Sequence, residues 1–319
     1  MERGPERTGL FSCFIIEGDR EMKKSLIYGI AGSFFFAFTF ILNRSMNLGG
    51  GYWMWSASLR YFYTMPILLV ILWRNRQLNG IWEEIKKQPW VWILWSTVGF
   101  GLFYAPLSLA SAYGESWLIA STWQITIVAG VLLTPLFGHK IPVKNLAFSL
   151  LILAGIFLMQ GSHLREAAVS DVRMTVLPIL VAAFAYPLGN RKMMSHCPPE
   201  ITAMQRVFGM TLCSMPFWLA GSVFAWSRAG LPDMGQHAQS FLVALFSGVT
   251  ATYLFFKATD MVKQNPRRLA LVEATQSAEV IFTLLGGILL LGDSLPSGMG
   301  FGGIFLILAG MIANSLITR

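Results

Sequence analysis

Long apolar segments alternate with short polar ones along almost the whole chain. Most of the apolar segments reach the roughly 18 to 20 residues that cross the hydrocarbon core of a bilayer as an α-helix. The first and the last of them contain no charged side chain. The pattern predicts ten spans, which we number in chain order: residues 25–42, 53–73, 90–110, 116–137, 144–161, 172–188, 201–226, 238–256, 269–291 and 297–317. We therefore expect an all-α membrane protein of about ten transmembrane helices.

The composition agrees with this prediction. Of the 319 residues, 55% are hydrophobic and 13% are charged, which leaves too few charged side chains to cover the surface of a soluble protein of this size. The polar connections between the apolar segments are too short to form a second, soluble domain. A single domain embedded in the lipid bilayer follows from these observations.

The net charge of +8 indicates membrane orientation rather than nucleic-acid binding. Basic residues concentrate in alternate connections, and loops rich in Lys and Arg remain in the cytoplasm when helices insert. The predicted cytoplasmic set is Lys23, Lys24, Arg74, Arg76, Lys86, Lys87, Lys140, Lys144, Arg191, Lys192, Lys257, Lys263, Arg267, Arg268 and Arg319, against Arg44, Arg165, Arg173 and Arg228 outside. Both termini are therefore predicted to be cytoplasmic, which requires an even number of spans.

Residues 1–21 differ in composition from the rest of the chain. They mix charges with glycine, and their apolar stretch, residues 10–16, is too short for a span or for the core of a signal peptide. Met22-Lys23-Lys24, directly before the first span, is typical of the start of a membrane protein. We predict that residues 1–21 are a disordered cytoplasmic tail or a mis-assigned start, and that the protein lies in a bacterial plasma membrane.

Short motifs of the first half recur in the same order in the second half, at a nearly constant offset, which indicates a duplicated unit. The four pairs are Asn43-Arg44-Ser45-Met46 with Asn190-Arg191-Lys192-Met193, Arg60-Tyr61-Phe62 with Arg206-Val207-Phe208, Gly138-His139-Lys140-Ile141-Pro142 with Gly292-Asp293-Ser294-Leu295-Pro296, and Leu151-Ile152-Leu153-Ala154-Gly155 with Leu306-Ile307-Leu308-Ala309-Gly310. The predicted repeats are residues 22–161 and 172–319. Because each contains five spans, the second enters the membrane from the opposite side, an arrangement that secondary transporters use.

The ninth span carries a resemblance to a known family. Its segment Glu279-Val280-Ile281-Phe282-Thr283-Leu284-Leu285-Gly286-Gly287, running on to Leu290-Leu291-Gly292-Asp293, is similar to the Glu-Pro-Val-Phe…Leu-Gly-Glu pattern of the EamA-like, ten-span branch of the drug/metabolite transporter superfamily, with Val280 in place of the usual proline. The resemblance covers residues 22–318. The Trp- and Met-rich first half is most similar to the bacterial multidrug-resistance efflux transporter group. The resemblance implies a transporter of small molecules.

Two acidic residues lie inside the ninth span. An ionised carboxylate at mid-bilayer is costly and is kept only if it is paired, protonated or facing water, so intramembrane acids are often functional. At 100° per residue, Glu279 shares a polar stripe with Thr275 and Thr283, whereas Glu273 lies on another, with Gln276 between them. We predict proton coupling by Glu279, which matches the family position, or by Glu273. The alternative is that each acid is the buried structural partner of an arginine.

Arg60 and Arg206 occupy equivalent positions in the two repeats and are the obvious counter-charges. A guanidinium is always protonated, so it can hold a carboxylate deprotonated or bind an anionic substrate. In the alternative reading both side chains snorkel, because each lies only about a turn and a half inside its predicted span.

Aromatic and amide side chains in the predicted spans could line a binding cavity. An aromatic surface near a carboxylate suits a lipophilic organic cation. The alternative for each residue is helix packing or interfacial anchoring. The candidates, besides Gln276, are Tyr104, Trp123, Gln124, Tyr186 and Tyr253.

Several kinds of site are not indicated. The chain has no P-loop motif, no nucleophile elbow and no zinc-binding His-Glu-x-x-His, so we predict neither an enzyme nor a cofactor. Three scattered cysteines and four histidines near loops give no metal-ligand spacing, so no metal site is predicted. Gly298 and Gly302 have the spacing of close helix packing, through which a homodimer could form.

The first functional hypothesis is therefore a proton-coupled exporter of small molecules, lipophilic or cationic drugs, that works by alternating access. A metabolite or amino-acid exporter on the same scaffold is the closest alternative. A passive channel or a lipid-handling membrane protein is the alternative from another class, although a channel would be expected to show a symmetric polar ring.

The charge distribution generates a topology prediction. The loops that hold Lys86, Lys140, Lys192 and Lys263 should face the cytoplasm. In intact cells an impermeant thiol reagent should label single cysteines in Arg165→Cys and Arg228→Cys, because both positions are predicted to be outside, and it should not label Lys86→Cys. Labelling of Lys86→Cys alone would show that the protein has the opposite orientation in the membrane.

Overall fold

The computed structural model describes residues 6–138, 140–141, 143–163, 169–262 and 264–317. Within these ranges the regular secondary structure is helical and contains no β-strand. Arg165, Lys263 and Arg319, which the topology prediction uses, lie outside the described residues.

Every predicted span coincides with one helix or with helices joined by a short irregular segment. The helices are α1 (Glu6–Leu48), α2 (Trp53–Arg74), α3 (Leu78–Lys87), α4 (Pro89–Ser96), α5 (Leu102–Ala110), α6 (Ser116–Trp123), α7 (Ile125–Leu132), α8 (Val143–His163), α9 (Val169–His196), α10 (Ala203–Cys213), α11 (Met215–Ala229), α12 (Met234–Val243), α13 (Thr252–Val262), α14 (Pro266–Ala274), α15 (Ala278–Gly286) and α16 (Gly298–Ile317). The second, fifth, sixth and tenth spans are α2, α8, α9 and α16, and the first span is the C-terminal part of α1.

The apolar helices have the lengths that a membrane protein requires. Five helical segments are long and apolar enough to cross a bilayer alone: Arg20–Leu48, Trp53–Arg74, Pro89–Ala110, Met234–Val262 and Leu271–Leu291. The pair α10 and α11 forms a sixth, bent by 44°, and three shorter apolar helices are Ser116–Leu132, Ala147–Gly161 and Gly298–Asn314. With α9 these helices account for the ten predicted spans. An all-α membrane protein is confirmed.

Helix irregularities fall at corresponding places in the two halves. The third and eighth spans each contain a π-helical segment, Thr97–Gly101 and Ala244–Ala251. The fourth span is interrupted at Gln124 and the ninth by the 3₁₀ segment Thr275–Ser277. The ninth helix is therefore distorted although Val280 replaces the proline of the family pattern.

Two glycines end the fourth and ninth spans in the same way. Gly138 and Gly292 have φ angles of 77° and 70°, the left-handed region in which a residue with a Cβ atom is strained. The recurrence of Gly at these two points of the repeated motif thus has a conformational reason.

The packing of the spans has the symmetry expected of a duplicated unit. The first span packs against the eighth and ninth, and the sixth, its equivalent, packs against the third and fourth. The second span packs against the eighth, and the seventh against the third. Three further pairs, second with seventh, fourth with ninth and fifth with tenth, join equivalent spans. The division into repeats at residues 22–161 and 172–319 stays a prediction with which this packing agrees.

The fifth and tenth spans meet through the five residues that the two halves repeat letter for letter. A Cβ atom on Gly155 would lie 2.6 Å from the Gly303 carbonyl oxygen and 2.8 Å from the Ile307 side chain. Reciprocally, a Cβ atom on Gly310 would lie 2.7 Å from the Ile152 side chain. Without these side chains the two helix backbones approach closely, which strengthens packing between helices in lipid.

The predicted close packing through Gly298 and Gly302 is wrong in its residues. A Cβ atom on Gly298 would have no neighbour within 4 Å, and one on Gly302 would touch only Leu158, at 3.5 Å. The tenth helix presents Gly303 and Gly310 to the fifth span instead. The spacing of the glycines alone did not show which face of the helix would be covered.

The connection between the second and third spans, predicted to be a cytoplasmic loop, contains the helix α3. Its sequence is amphipathic: Ile81 and Glu84 are buried, while Lys86 and Lys87 are exposed. The helix packs against α10, and Gln205 Nε2 donates a hydrogen bond of 2.7 Å to the Gln77 carbonyl oxygen. Such a short amphipathic helix lies along a membrane surface rather than across it.

The helix α1 begins at Glu6, so residues 6–21 are helical. The segment follows Pro5, a residue that suits the start of a helix, and it contains no further proline to interrupt the hydrogen-bond ladder into the first span. That residues 1–21 are a disordered tail or a mis-assigned start stays a prediction.

The glycine contact generates a stability prediction. Gly155→Ala should lower the unfolding midpoint of the purified protein in detergent, because the added methyl group must displace the tenth helix, at a cost of about 1–3 kcal/mol. Gly161→Ala in the same helix is the matched control, since a Cβ atom there meets nothing within 4 Å. Because this absence of neighbours is counted among the described residues, Gly161→Ala should be neutral or slightly stabilising. Equal midpoints for the two variants would contradict this packing.

Candidate functional site

Glu279 lies on the inward face of α15. On the opposite face of this helix, Ile281 and Leu285 are 45% and 50% exposed, as expected of side chains that contact lipid. Thr283, one turn after Glu279, is completely buried. Glu279 itself is half-buried. Among the described residues it has neither a side-chain hydrogen bond nor an ion pair, so it is an acid without a structural partner there.

Glu273 occupies a different position. It lies in α14, before the 3₁₀ segment Thr275–Ser277, whereas Glu279 follows that segment. A 3₁₀ segment turns by about 120° per residue rather than 100°, so its three residues reduce the separation of the two acids around the helix axis from about 120° to about 60°. Glu273 and Glu279 therefore lie in different helices of the span and are not stacked on one line.

Arg60 points into the helix bundle and does not snorkel. Its guanidinium carbon lies 4.0 Å from the centre of the Tyr104 ring, and Nη2 donates a hydrogen bond of 3.2 Å to Ser247 Oγ in the eighth span. Tyr104 is fully buried, and its hydroxyl accepts a hydrogen bond of 2.9 Å from Asn43 Nδ2. The Tyr104 ring, predicted to contact substrate, thus packs against the Arg60 guanidinium.

Arg206 lies in the first turns of α10, near the predicted cytoplasmic end of the seventh span. It is close enough to interact electrostatically with the Cys197 thiol and the Tyr186 hydroxyl. Burial raises the pKa of Cys197, in the connection after α9, to about 11, and Arg206 opposes this shift. At neutral pH this cysteine is therefore a thiol of low reactivity.

Two of the predicted aromatic residues form an aromatic cluster with Phe103, which the sequence reading did not single out. Ring centres are 5.1 Å apart for Phe103 and Trp123, 4.8 Å for Phe103 and Tyr186, and 5.7 Å for Trp123 and Tyr186. The helices α5, α6 and α9 bring these residues together. Phe103 is adjacent to Tyr104 in sequence. The helix packing places the Phe103 ring against Trp123 and Tyr186, and the Tyr104 ring against the Arg60 guanidinium.

Tyr186 connects the cluster to the charged residues. The residue is 39% exposed. Its hydroxyl lies within electrostatic range of Glu279, Arg60 and Arg206. This region therefore combines one carboxyl group, two guanidinium groups and an aromatic surface.

The remaining predicted residues are less central. Gln124 is buried, and its Nε2 donates a hydrogen bond of 3.0 Å to the Ala120 carbonyl oxygen of its own helix. Gln276 is half-buried in the 3₁₀ segment. Tyr253 is 52% exposed and lines a groove on the seventh and eighth spans together with Lys257, apart from the aromatic cluster.

An outer contact joins the two halves at the predicted extracellular side. The connection after the third span meets the connection after the ninth: Ser116 donates hydrogen bonds from its backbone N–H (2.9 Å) and its hydroxyl to Asp293 Oδ2. Ser294 donates from its backbone N–H (3.1 Å) and its hydroxyl to Glu115 Oε1. Trp117 Nε1 adds a bond of 3.1 Å to the Ser294 carbonyl oxygen. Asp293 thus caps the start of α6 from the other half.

The family of the protein follows from a family profile that matches nearly the whole chain. The profile of the family described as "EmrE: Putative multidrug resistance efflux transporter" matches residues 23–319. The chain belongs to this family. Membership in the EmrE family makes it a membrane transporter of the drug/metabolite superfamily, in which small molecules are exported and no enzymatic reaction is catalysed.

Similar proteins of bacteria extend over most of the chain. The protein YjlA of Bacillus subtilis is 49% identical over 309 residues, covering 93% of this chain and 95% of the relative. A 42.1 kDa protein of Shouchella clausii is 42% identical over 266 residues, covering 80% of this chain and 70% of the relative. A solved crystal structure at 15% identity superposes with a TM-score of 0.61 over 93% of this chain and 99% of its own. At that identity the likeness concerns the fold alone.

The outer contact leads to a prediction about how much the backbone and the hydroxyl hydrogen bonds of Ser116 each contribute to stability. Asp293→Ala leaves the buried Ser116 N–H without an acceptor, which costs about 1–3 kcal/mol. Ser116→Ala removes only the hydroxyl and keeps the backbone bond to Asp293. The unfolding midpoint in detergent should therefore fall further for Asp293→Ala than for Ser116→Ala. The opposite order would contradict the capping role of Asp293.

Proposed function

We propose that this member of the EmrE family exports lipophilic or cationic small molecules in exchange for protons, with Glu279 as the proton-carrying group. The observation that carries the proposal is the Glu279 carboxyl, which faces the interior near Tyr186 and has no structural partner among the described residues. An acid that stabilised the fold would be expected to hold a hydrogen bond or an ion pair there. Glu279 is instead available to a proton or to a substrate in turn.

The substrate class is proposed from the aromatic cluster. The Tyr186 hydroxyl lies within electrostatic range of the Glu279 carboxyl, and the Tyr186 ring packs against Phe103 and Trp123. Aromatic rings next to a carboxylate attract a lipophilic cation through stacking, cation–π contact and opposite charge. The two guanidinium groups of Arg60 and Arg206 are a specific observation in favour of the second candidate, an exporter of metabolites such as amino acids, because these molecules also carry a carboxylate.

Alternating access is supported by the symmetry of the packing and by the outer contact. If both termini are cytoplasmic, the connections that hold Glu115 and Asp293 lie outside, so the structure has its outer ends joined. We propose that these hydrogen bonds break when the transporter opens outward. A homodimer through the free face of the tenth helix at Gly298 and Gly302 stays a prediction.

The coupling role of Glu279 is tested by Glu279→Gln, which keeps size and hydrogen bonding but fixes the neutral state. In proteoliposomes, export of tetraphenylphosphonium driven by a pH gradient should stop, while the variant still inserts and folds. Binding of this cation to the wild type should strengthen as pH rises, because the deprotonated carboxylate attracts it, and this dependence should flatten in the variant.

Glu273→Gln is the matched control, because it removes an acid from the same span, in the helix before the 3₁₀ segment. It should retain pH-gradient-driven export. If Glu279→Gln also retains full export, the mechanism is refuted, and Glu273 or Glu115 becomes the candidate.

A further inference from the structure

Arg60 is a cation inside the helix bundle that no acid of the described chain compensates. No Asp or Glu oxygen of the described residues lies within ion-pair distance of its guanidinium. Around the Arg60 guanidinium there are instead the Tyr104 ring at 4.0 Å and the Ser247 hydroxyl at 3.2 Å. A charge removed from water is normally kept with a counter-charge, so the absence of one here is a feature to explain.

The guanidinium is also incompletely hydrogen-bonded. Nη1 of Arg60 is enclosed and has no acceptor, while Nη2 is held by Ser247. Stacking on Tyr104 fixes the plane of the group, so the donors of the guanidinium fork keep a defined direction. A planar fork with fixed orientation matches the two oxygens of a carboxylate. A buried donor without an acceptor is a group that a ligand can satisfy.

The surroundings of Arg60 extend to the aromatic cluster. Arg60 and Glu279 both act electrostatically on the Tyr186 hydroxyl, yet they form no ion pair with each other. Tyr186 packs directly against Phe103 and Trp123. One small molecule in this interior could therefore meet a fixed cation at one end and aromatic rings at the other.

We propose that Arg60 is the binding site for a carboxylate group of the transported molecule, whose apolar part lies against Phe103, Trp123 and Tyr186. The substrate class is thus an amphoteric aromatic carboxylate, whose amino group is the cation that the proposed function directs to Glu279. Tyr104 and Ser247 act as positioning residues for the guanidinium. The inference rests on the proposed function in that the interior is taken as the substrate site.

Equilibrium binding with matched probes tests the inference in purified protein in lipid nanodiscs. 1-Naphthoate carries the carboxylate, and 1-naphthylmethanol has the same rings with a neutral group. The wild type should bind the carboxylate about 10- to 100-fold more tightly than the alcohol, as expected for a charge-assisted hydrogen bond. Arg60→Gln should remove this preference and leave the affinity for the alcohol unchanged, and Arg60→Lys should keep part of it.

Two further variants separate charge recognition from ring recognition. Trp123→Ala should weaken both probes alike, since it removes ring contact only. Arg173→Gln, which removes an exposed guanidinium on the groove lined by Leu177 and Pro178, should change neither affinity.

The inference is overturned if the wild type binds the alcohol as tightly as the carboxylate, or if Arg60→Gln keeps the preference. Should Arg60→Gln fail to insert, Arg60→Lys and the comparison of the two probes in the wild type decide. No pH gradient is present in this measurement. A failure here therefore leaves the coupling role of Glu279 to be judged by the transport of the Glu279→Gln variant.

Discussion

Polar groups inside a bilayer must find their hydrogen-bond partners within the protein, and this constraint orders the whole structure. The backbone satisfies it by being helical throughout the spans. Many hydroxyl side chains satisfy it by donating to the carbonyl oxygen one turn earlier in their own helix, as Ser33, Thr64, Ser111, Thr122 and Ser222 do. Glu279 and Arg60 differ from these residues. The Glu279 carboxyl has no side-chain hydrogen bond among the described residues, and Nη1 of Arg60 has no acceptor there.

The duplication determines where these exceptions can lie. Equivalent spans meet second with seventh, fourth with ninth and fifth with tenth, so the two halves enclose a common interior. Along the fifth and tenth spans, Gly155 and Gly310 let the backbones touch, which holds one side of the bundle together. At the outer ends, the hydrogen bonds of Asp293 and Glu115 join connections of the two halves. Packing between repeated halves is the arrangement on which alternating access in secondary transporters is built.

Much of the fold could be predicted from the sequence, whereas the composition of the site could be predicted only in part. Glu279 and Arg60 were recognisable because charges in apolar segments are costly. Phe103 was not, since one phenylalanine in an apolar helix has no distinguishing signal. Gln124 and Tyr253 looked like lining residues, yet one bonds to its own helix and the other lies on the outer surface. The amphipathic helix α3 was missed because it is too short to show the length of a span.

The sequence by itself determined the class of protein, the number and order of the apolar segments and the repeated motifs. These properties depend on the length of the apolar segments, on the distribution of basic residues and on the identity of short repeated motifs. All three are properties of the order of residues along the chain. Only the tertiary structure decided which face of each helix is covered. The angle between faces changes with each 3₁₀ or π-helical segment, and the close approach of glycines depends on the partner helix. For that reason it was the packing that placed Gly303 rather than Gly298 in the contact, and Arg60 on Tyr104 rather than at the membrane surface.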